Sequence, residues 1–360
     1  MTRSARTRRI LAFGSALLVA AILVVGGCAS AGYYAQSIGG HLDLMARRQD
    51  VGALVNDEST PPNLRRKLER AETIRAFAVE ELALPDSGSY RSYVDVGKPY
   101  VTWNVVATPA LSLEPKTWCF PVVGCVTYRG YFEEADARSY GDELAADGLD
   151  VTVVGARAYS TLGWFDDPIL NTILFDAEYR FAGTLFHELA HERVFVSGDS
   201  AFNESYAVAV EREGVRRWLA RTGGPGMQRA YEEEHARREA FLSVVMSARN
   251  RLEALYASDL DDSEKLRDKA AIFDSLRRDY AKLKAGWGGY AGYDGWFEED
   301  LNNAKLALLD TYNVHVVAFE VMLAEQNGDM ERFHQAVEAL SKLPKDERDA
   351  ALARLAAGAS

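Results

Sequence analysis

The chain has 360 residues, 48% of them hydrophobic and 26% charged, an ordinary globular composition that excludes a disordered or fibrous protein. Its 53 acidic residues outnumber 41 basic ones, giving a formal charge of −12. Phosphate backbones are bound by basic surfaces, so nucleic acid is excluded as a partner.

Residues 1–27 read as a targeting segment. Arg3, Arg6, Arg8 and Arg9 form a positive head, residues 10–25 an apolar run, and Val25-Gly26-Gly27-Cys28 follows. A basic head, an apolar stretch and small residues at a cut site mark an export signal, whether a plain signal peptide or an uncleaved anchor. The cysteine placed directly after the small residues resembles a bacterial lipobox, with Val25 where Leu is commoner. That resemblance implies cleavage before Cys28, a lipid on its sulfur and anchorage in the bacterial cell envelope. By similarity to bacterial sorting rules, Ala29 rather than Asp implies the outer membrane, with the protein facing the periplasm. Cleavage would remove four Arg and no acid, leaving a more acidic mature chain. Cys119 and Cys125 then remain as a pair, and outside the cytoplasm a close pair is usually a disulfide. Two metal thiolates are the weaker alternative, because no other Cys and no nearby His complete a set.

Residues 28–89 read as a helical segment. Thr60-Pro61-Pro62 opens a helix to about Leu82, striped by Leu64, Leu68, Ala71, Ile74 and Ala78, with proline in the first turn as helices accept it. Residues 90–222 read as the sheet and metal-binding helices of a catalytic domain. Residues 93–96, 100–106 and 126–132 are β-branched and aromatic and predict strands. Residues 133–147 predict a helix, 149–156 a strand and 169–175 an edge strand. Helices follow over about 179–193 and 201–221, and Gly223-Gly224-Pro225-Gly226 breaks the chain. Residues 223–360 read as helical, with an antiparallel hairpin over about 228–285. Its faces are marked by Phe241, Val244, Val245, Ala248, Leu252 and Leu255, then by Leu266, Ala270, Phe273, Leu276, Tyr280 and Leu283. A Gly/Tyr/Trp-rich loop and two more helices close the chain.

His187-Glu188-Leu189-Ala190-His191 carries the chemistry. Four residues of helix turn roughly 400°, so both imidazoles lie on one face, one turn apart, and can reach one metal ion. Glu188 is rotated roughly 100° from His187 and reaches a metal-bound water rather than the metal. Zinc lowers that water's pKa, and the carboxylate can take its proton and hand it to the leaving amine. Zinc requires a third protein ligand. Glu204, thirteen residues after His191 near the start of the next helix, supplies it, with Glu211 and Asp199 as substitutes. A first-turn Glu that caps its own helix is the ordinary alternative for Glu204.

H-E-x-x-H followed by Asn203-Glu204-Ser205-Tyr206-Ala207 resembles the gluzincin peptidases, whose third ligand is that Glu. The wider chain resembles the bacterial predicted-aminopeptidase lipoprotein family. The similar segments are Tyr33-Tyr34-Ala35-Gln36, residues 119–125, Tyr128-Arg129-Gly130-Tyr131-Phe132, residues 159–165, residues 186–213, Trp296-Phe297 and Tyr312-Asn313. Two departures stand out. Glu192 is charged where many zincins are apolar, and no Gly-x-Met-Glu-Asn segment is present to grip a substrate's free amine. The resemblance implies an aminopeptidase, whereas the residues alone imply a zinc peptidase. Tyr312, from the later helical part, is the first choice for stabilising the oxyanion, ahead of Tyr293, Tyr206 and His315. Arg129 is a weaker candidate for holding a substrate carboxylate.

The expectation is an α+β zincin-like catalytic unit, with a twisted mixed sheet, a metal helix beneath its edge and a largely helical C-terminal part. One zinc ion on His187, His191 and Glu204, with Glu188 as base, would hydrolyse a peptide substrate. An endopeptidase, or a non-catalytic lipid-anchored scaffold with a vestigial metal site, are the rival readings. The sequence carries no information on oligomeric state.

Overall fold

The computed structural model describes residues 32–120, 124–161, 163–298, 300–311 and 315–358. The signal segment, Cys28 and Tyr312 lie outside the described residues. The chain divides into two units, Met1–Arg47 and Arg48–Ser360. In the first, residues 32–46 form helix α1, on which Arg47 reaches back one turn to Asp43 at 3.3 Å. Among the described residues no helix is long and apolar enough to cross a membrane.

The second unit is mixed α and β, with much helix and small sheets. β1 (Gln49–Asp50) leads into α2 (Val51–Asn56) and α3 (Pro62–Leu82). Pro62 sits in the first turn of α3, where a missing N–H costs nothing. Leu68, Ala71, Ile74, Ala78 and Leu82 make its buried stripe, and Ala83 ends it in the left-handed conformation. β2 (Ser92–Val94) pairs antiparallel with β1 and parallel with β8 (Ile169–Leu170). β3 (Thr102–Pro109) is the centre of a separate antiparallel sheet, between β6 (Arg129–Tyr131) and β7 (Leu149–Ala156). The strands therefore form two small three-stranded sheets rather than one mixed sheet. Gly97, at φ 69°, and Pro99 turn the chain between β2 and β3, so the two strands part. β4 (Trp118–Phe120) and β5 (Gly124–Val126) form a ribbon bridged by the Cys119–Cys125 disulfide, with S–S 1.97 Å.

α4 (Glu134–Ala146) covers the β3–β7 sheet, where Val105, Val106 and Ala107 are buried. The expected strand over 169–175 is cut short. Asn171 accepts a hydrogen bond from Val96 N–H (2.8 Å), which ends the ladder, and residues Asn171–Leu174 wind into α5. An apolar run of that length fits either state from periodicity alone.

α6 (Glu178–Arg193) and α7 (Ser200–Thr222) pack on α3. Phe77 of α3 meets Phe186 at 5.8 Å and Trp218 at 5.1 Å between ring centroids. Trp218 donates to Glu178, which Arg70 also grips through two hydrogen bonds of 2.8 and 2.7 Å. The close approach of α6 and α7 requires glycine. A Cβ at Gly214 would lie 2.5 Å from Phe186 Cδ2 and 2.7 Å from Leu82 Cδ1. Gly214→Ala is expected to overpack this contact and cost about 1–3 kcal/mol. A denaturant midpoint equal to that of the unmodified protein would show that Phe186 and Leu82 can yield.

α8 (Pro225–Tyr256) starts at the Gly-Pro break, with Pro225 in its first turn. α9 (Asp262–Gly286) begins with a capping box between Asp261 and Glu264. The two share a core of Phe241, Val245, Ala248, Leu252, Ile272, Phe273, Leu276 and Tyr280. Lys269 ties α9 to β7 through Asp150 at 2.6 Å. After the short α10 (Asp294–Glu298) come α11 (Asn303–Thr311), α12 (Val316–Glu325), α13 (Met330–Ser341) and α14 (Lys345–Ala357). The tail thus holds more helices than the two expected. Asn327 and Gly328, at φ 56° and 75°, separate α12 from α13, and Pro344 separates α13 from α14.

Candidate metal centre

The orientation of α6 follows from its apolar stripe. Phe181, Ala182, Leu185, Phe186, Leu189 and Ala190 are buried, and this period of three and four fixes which way the remaining face points. His187 and His191 lie together on that remaining face, their rings 4.9 Å apart and nearly perpendicular. His191 is almost fully buried and His187 half-buried.

α7 returns along α6 after a six-residue loop. Its first turn is capped by Asp199, which accepts from Phe202 N–H at 3.3 Å. Asn203 clamps the loop: its side chain accepts from Val196 N–H and donates to Val196 C=O, both at 2.8 Å. With Asn203 turned to the loop, Glu204 faces α6. Its carboxylate lies 3.2 Å from His187 Nε2 and 3.7 Å from His191 Nε2, and the two Nε2 atoms are 3.2 Å apart. Ligand atoms from His187, His191 and Glu204 all lie within 4.8 Å of one another.

This donor set fits zinc. Two imidazole nitrogens bound tetrahedrally at about 2.0–2.1 Å from zinc stand about 3.3 Å apart, close to the spacing of the two Nε2 atoms. Burial opposes a proton on His187, but the carboxylates of Glu204 and Glu211 outweigh it and hold that ring well above the usual imidazole range. Burial pushes His191 down to about 4, with Glu204 opposing. The carboxylates thus favour positive charge at His187, while burial disfavours it at His191.

Glu211, expected as a substitute ligand, lies on the other side of His187, 3.2 Å from Nδ1. A carboxylate there fixes the tautomer and ring orientation, leaving Nε2 as the free donor. Asp199, the other substitute, is turned away and paired with Arg348 (2.5 and 3.1 Å).

Glu188 is half-buried beside the triad. Burial pushes its carboxyl up to about 7, His187 opposes, and the charges of Glu204 and Asp167 add, while Ser160 donates a hydrogen bond to it. The roles of Ser160, Asp167 and Tyr90 around Glu188 carry no sequence signal, since Ser160 and Asp167 come from the loop after β7 and Tyr90 from the loop before β2, with no periodicity to mark them. The other expected candidates make the following contacts. Tyr293 stacks on Phe241 at 4.2 Å. His315 donates its N–H to Ser205 Oγ at 3.1 Å. Arg129 lies over the Tyr140 ring at 4.3 Å. Tyr206 is fully buried, and its hydroxyl meets His334 Nδ1 at 2.9 Å. His334 Nε2 lies 2.8 Å from Leu82 C=O, which makes Nε2 the donor and Nδ1 the acceptor. Burial pushes His334 down to about 4, so this neutral ring links α13, α7 and the end of α3.

A family model described as "Putative aminopeptidase" matches residues 32–352. Neither the curated proteins nor the solved structures contain a match. The matched span takes in both histidines, all the carboxylates around them and Arg348, and the chain belongs to this family.

Proposed function

We propose that the protein is a zinc-dependent peptidase, and specifically an aminopeptidase, with one ion held by His187, His191 and Glu204. The reading rests on one observation: two Nε2 atoms and a carboxylate converge beside a second, half-buried carboxylate, Glu188, which is not part of the triad. Zinc, when bound, lowers the pKa of a coordinated water to near 7 and polarises a carbonyl. Glu188 accepts a proton at its carboxylate and delivers it to the departing amine nitrogen. Ser160 holds that carboxylate in place by a hydrogen bond, and Glu211 holds the His187 ring. The family supports peptide hydrolysis as the activity.

The lipobox-like Val25-Gly26-Gly27-Cys28 supports a lipid on Cys28 and a place in the bacterial cell envelope, at the outer membrane facing the periplasm. The Cys119–Cys125 disulfide suits such an oxidising compartment.

Metal content tests the proposal. Protein purified without chelator is expected to carry about one zinc per chain, as three protein ligands imply, and His187→Ala to carry almost none and to cleave no peptide. Unmodified protein that is free of metal and does not take up zinc on dialysis would overturn the reading.

A further inference from the structure

Glu192 follows His191 as Glu188 follows His187. Four residues place the two carboxylate side chains one turn apart on the same side of α6. Glu192 is half-buried. The loop after β7 covers it, with the position of a Cβ on Gly163 only 3.5 Å from Glu192 Cγ. Among the described residues Glu192 has neither an ion-pair nor a hydrogen-bond partner, although its neighbour Arg193 pairs with Glu331 and Glu338. Asp167, fully buried, lies within electrostatic range of both Glu188 and Glu192. Its carboxylate is already occupied by Thr161 N–H and Oγ–H at 2.7 and 2.9 Å. Three carboxylates thus gather here, and among the described residues none of them pairs with a Lys or Arg.

Tyr90 belongs to the same corner. It is 4% exposed and sits at φ 62°, a conformation that an aromatic residue adopts only when its surroundings impose it. The imposing contacts are visible. Tyr90 N–H donates to Asp167 C=O at 2.7 Å, and the preceding turn is pinned by buried Arg75, which donates to Ser89 C=O at 3.0 Å and to Asp86 at 2.9 Å. Burial first, then the charges of Glu188, Asp167 and Glu192, push the Tyr90 phenol well above its usual range, so it stays protonated. Among the described residues its hydroxyl has no hydrogen-bond partner, so its oxygen is free to accept one from a ligand. An ammonium group has three N–H donors and a positive charge. It complements an unpaired carboxylate and an unpartnered hydroxyl oxygen.

We propose that Glu192 and Tyr90 form the subsite that receives the free α-ammonium group of a peptide substrate. This inference rests on the peptidase reading above and gives its exopeptidase form a structural cause. Glu192 is then a specificity-determining residue: it favours peptides with an unblocked amino terminus.

Binding can be read without turnover. The Glu188→Gln protein, equilibrated with zinc, is titrated calorimetrically with L-leucine amide and with N-acetyl-L-leucine amide. The free amine is expected to bind about tenfold or more tightly than its acetylated form, as befits a charge-assisted contact. Adding Glu192→Gln should erase that preference, and Tyr90→Phe should weaken it several-fold. Both substitutions keep the shape of the side chain, and unchanged zinc content confirms an intact centre. Binding of neither ligand, equal binding of both, or a preference that survives Glu192→Gln overturns the proposal. Failure of the peptidase reading is separate: it appears as no hydrolysis by protein with Glu188 intact, whatever the amine preference.

Discussion

Glu188→Gln is expected to lower the rate of peptide hydrolysis by roughly 10²–10⁴-fold, the usual contribution of a general acid–base group, while the zinc content stays at the level of the unmodified protein. The substitution preserves size and the hydrogen bond available from Ser160, and removes only the ability to accept and release a proton. The separation of the two readouts follows from the geometry. Glu204, not Glu188, faces the two Nε2 atoms, so the proposed ligands are untouched. Burial holds the Glu188 carboxyl at about 7 in the protein alone. A cation between His187 and His191 draws that value down and keeps the group ionised at neutral pH. Steady-state kinetics on an unblocked peptide, run beside a metal assay on the same sample, measure both quantities. Full activity in the Gln protein would remove Glu188 from the chemistry.

Arg348→Ala is expected to destabilise the protein by about 3–5 kcal/mol, the cost of leaving one member of a buried ion pair behind. Arg348 and Asp199 are each 4% exposed. Arg348 reaches Asp199 with two donors, gives a third hydrogen bond to Leu343 C=O at 2.8 Å and lies over the Phe202 ring. Lys345, 3.6 Å from Asp199, softens the loss and favours the lower end of that range. The pair also has a pH signature. Burial alone would raise the Asp199 carboxyl, but Arg348, Lys345 and the Phe202 N–H together hold it below its ordinary value of 3.8. A depressed folded-state pKa contributes stability that is present above the unfolded value and lost as pH falls through the folded one. Acid unfolding of the unmodified protein should therefore steepen below about pH 4, and Arg348→Ala should lack that component. Denaturant midpoints across pH 3–7 test this; parallel curves for the two proteins would contradict it.

What could be read from the sequence was the part that a single helix converts into geometry. The spacing of His187 and His191 is local, and α6 needs only its own apolar stripe to set both rings on one face. Glu204 was expected for a different reason: the loop before α7 is short, and Asn203-Glu204 beside H-E-x-x-H resembles the gluzincin pattern, whereas the clamp that Asn203 puts on that loop is visible only in the structure. The surroundings were not legible. Glu211 lies on the same face of α7 as Glu204, and only the packed position of α6 decides that it meets Nδ1 of His187 rather than Nε2. Tyr90 and Asp167 come within electrostatic range of Glu188 from other loops, and the positive φ of Tyr90 has no counterpart in residue type. Asp199 and Arg348 are 149 residues apart, and neither announces the other. The segment 169–175 was misread because an apolar run of that length does not distinguish strand from helix, and a single side chain, Asn171, made the difference.

The two carboxylates of α7 have a joint consequence. Glu204 and Glu211 stand seven residues apart, and each lies 3.2 Å from a different nitrogen of the same His187 ring. The imidazole thus acts as a gauge of the neighbouring helix. Sliding or rotating α7 by one residue would detach both contacts at once, so the ring cannot be held on one side and free on the other. Under the proposed function, ion capture and helix register become a single cooperative event. Substitutions at the glycine contact between α6 and α7 should then be felt as lost zinc affinity before they are felt as lost fold.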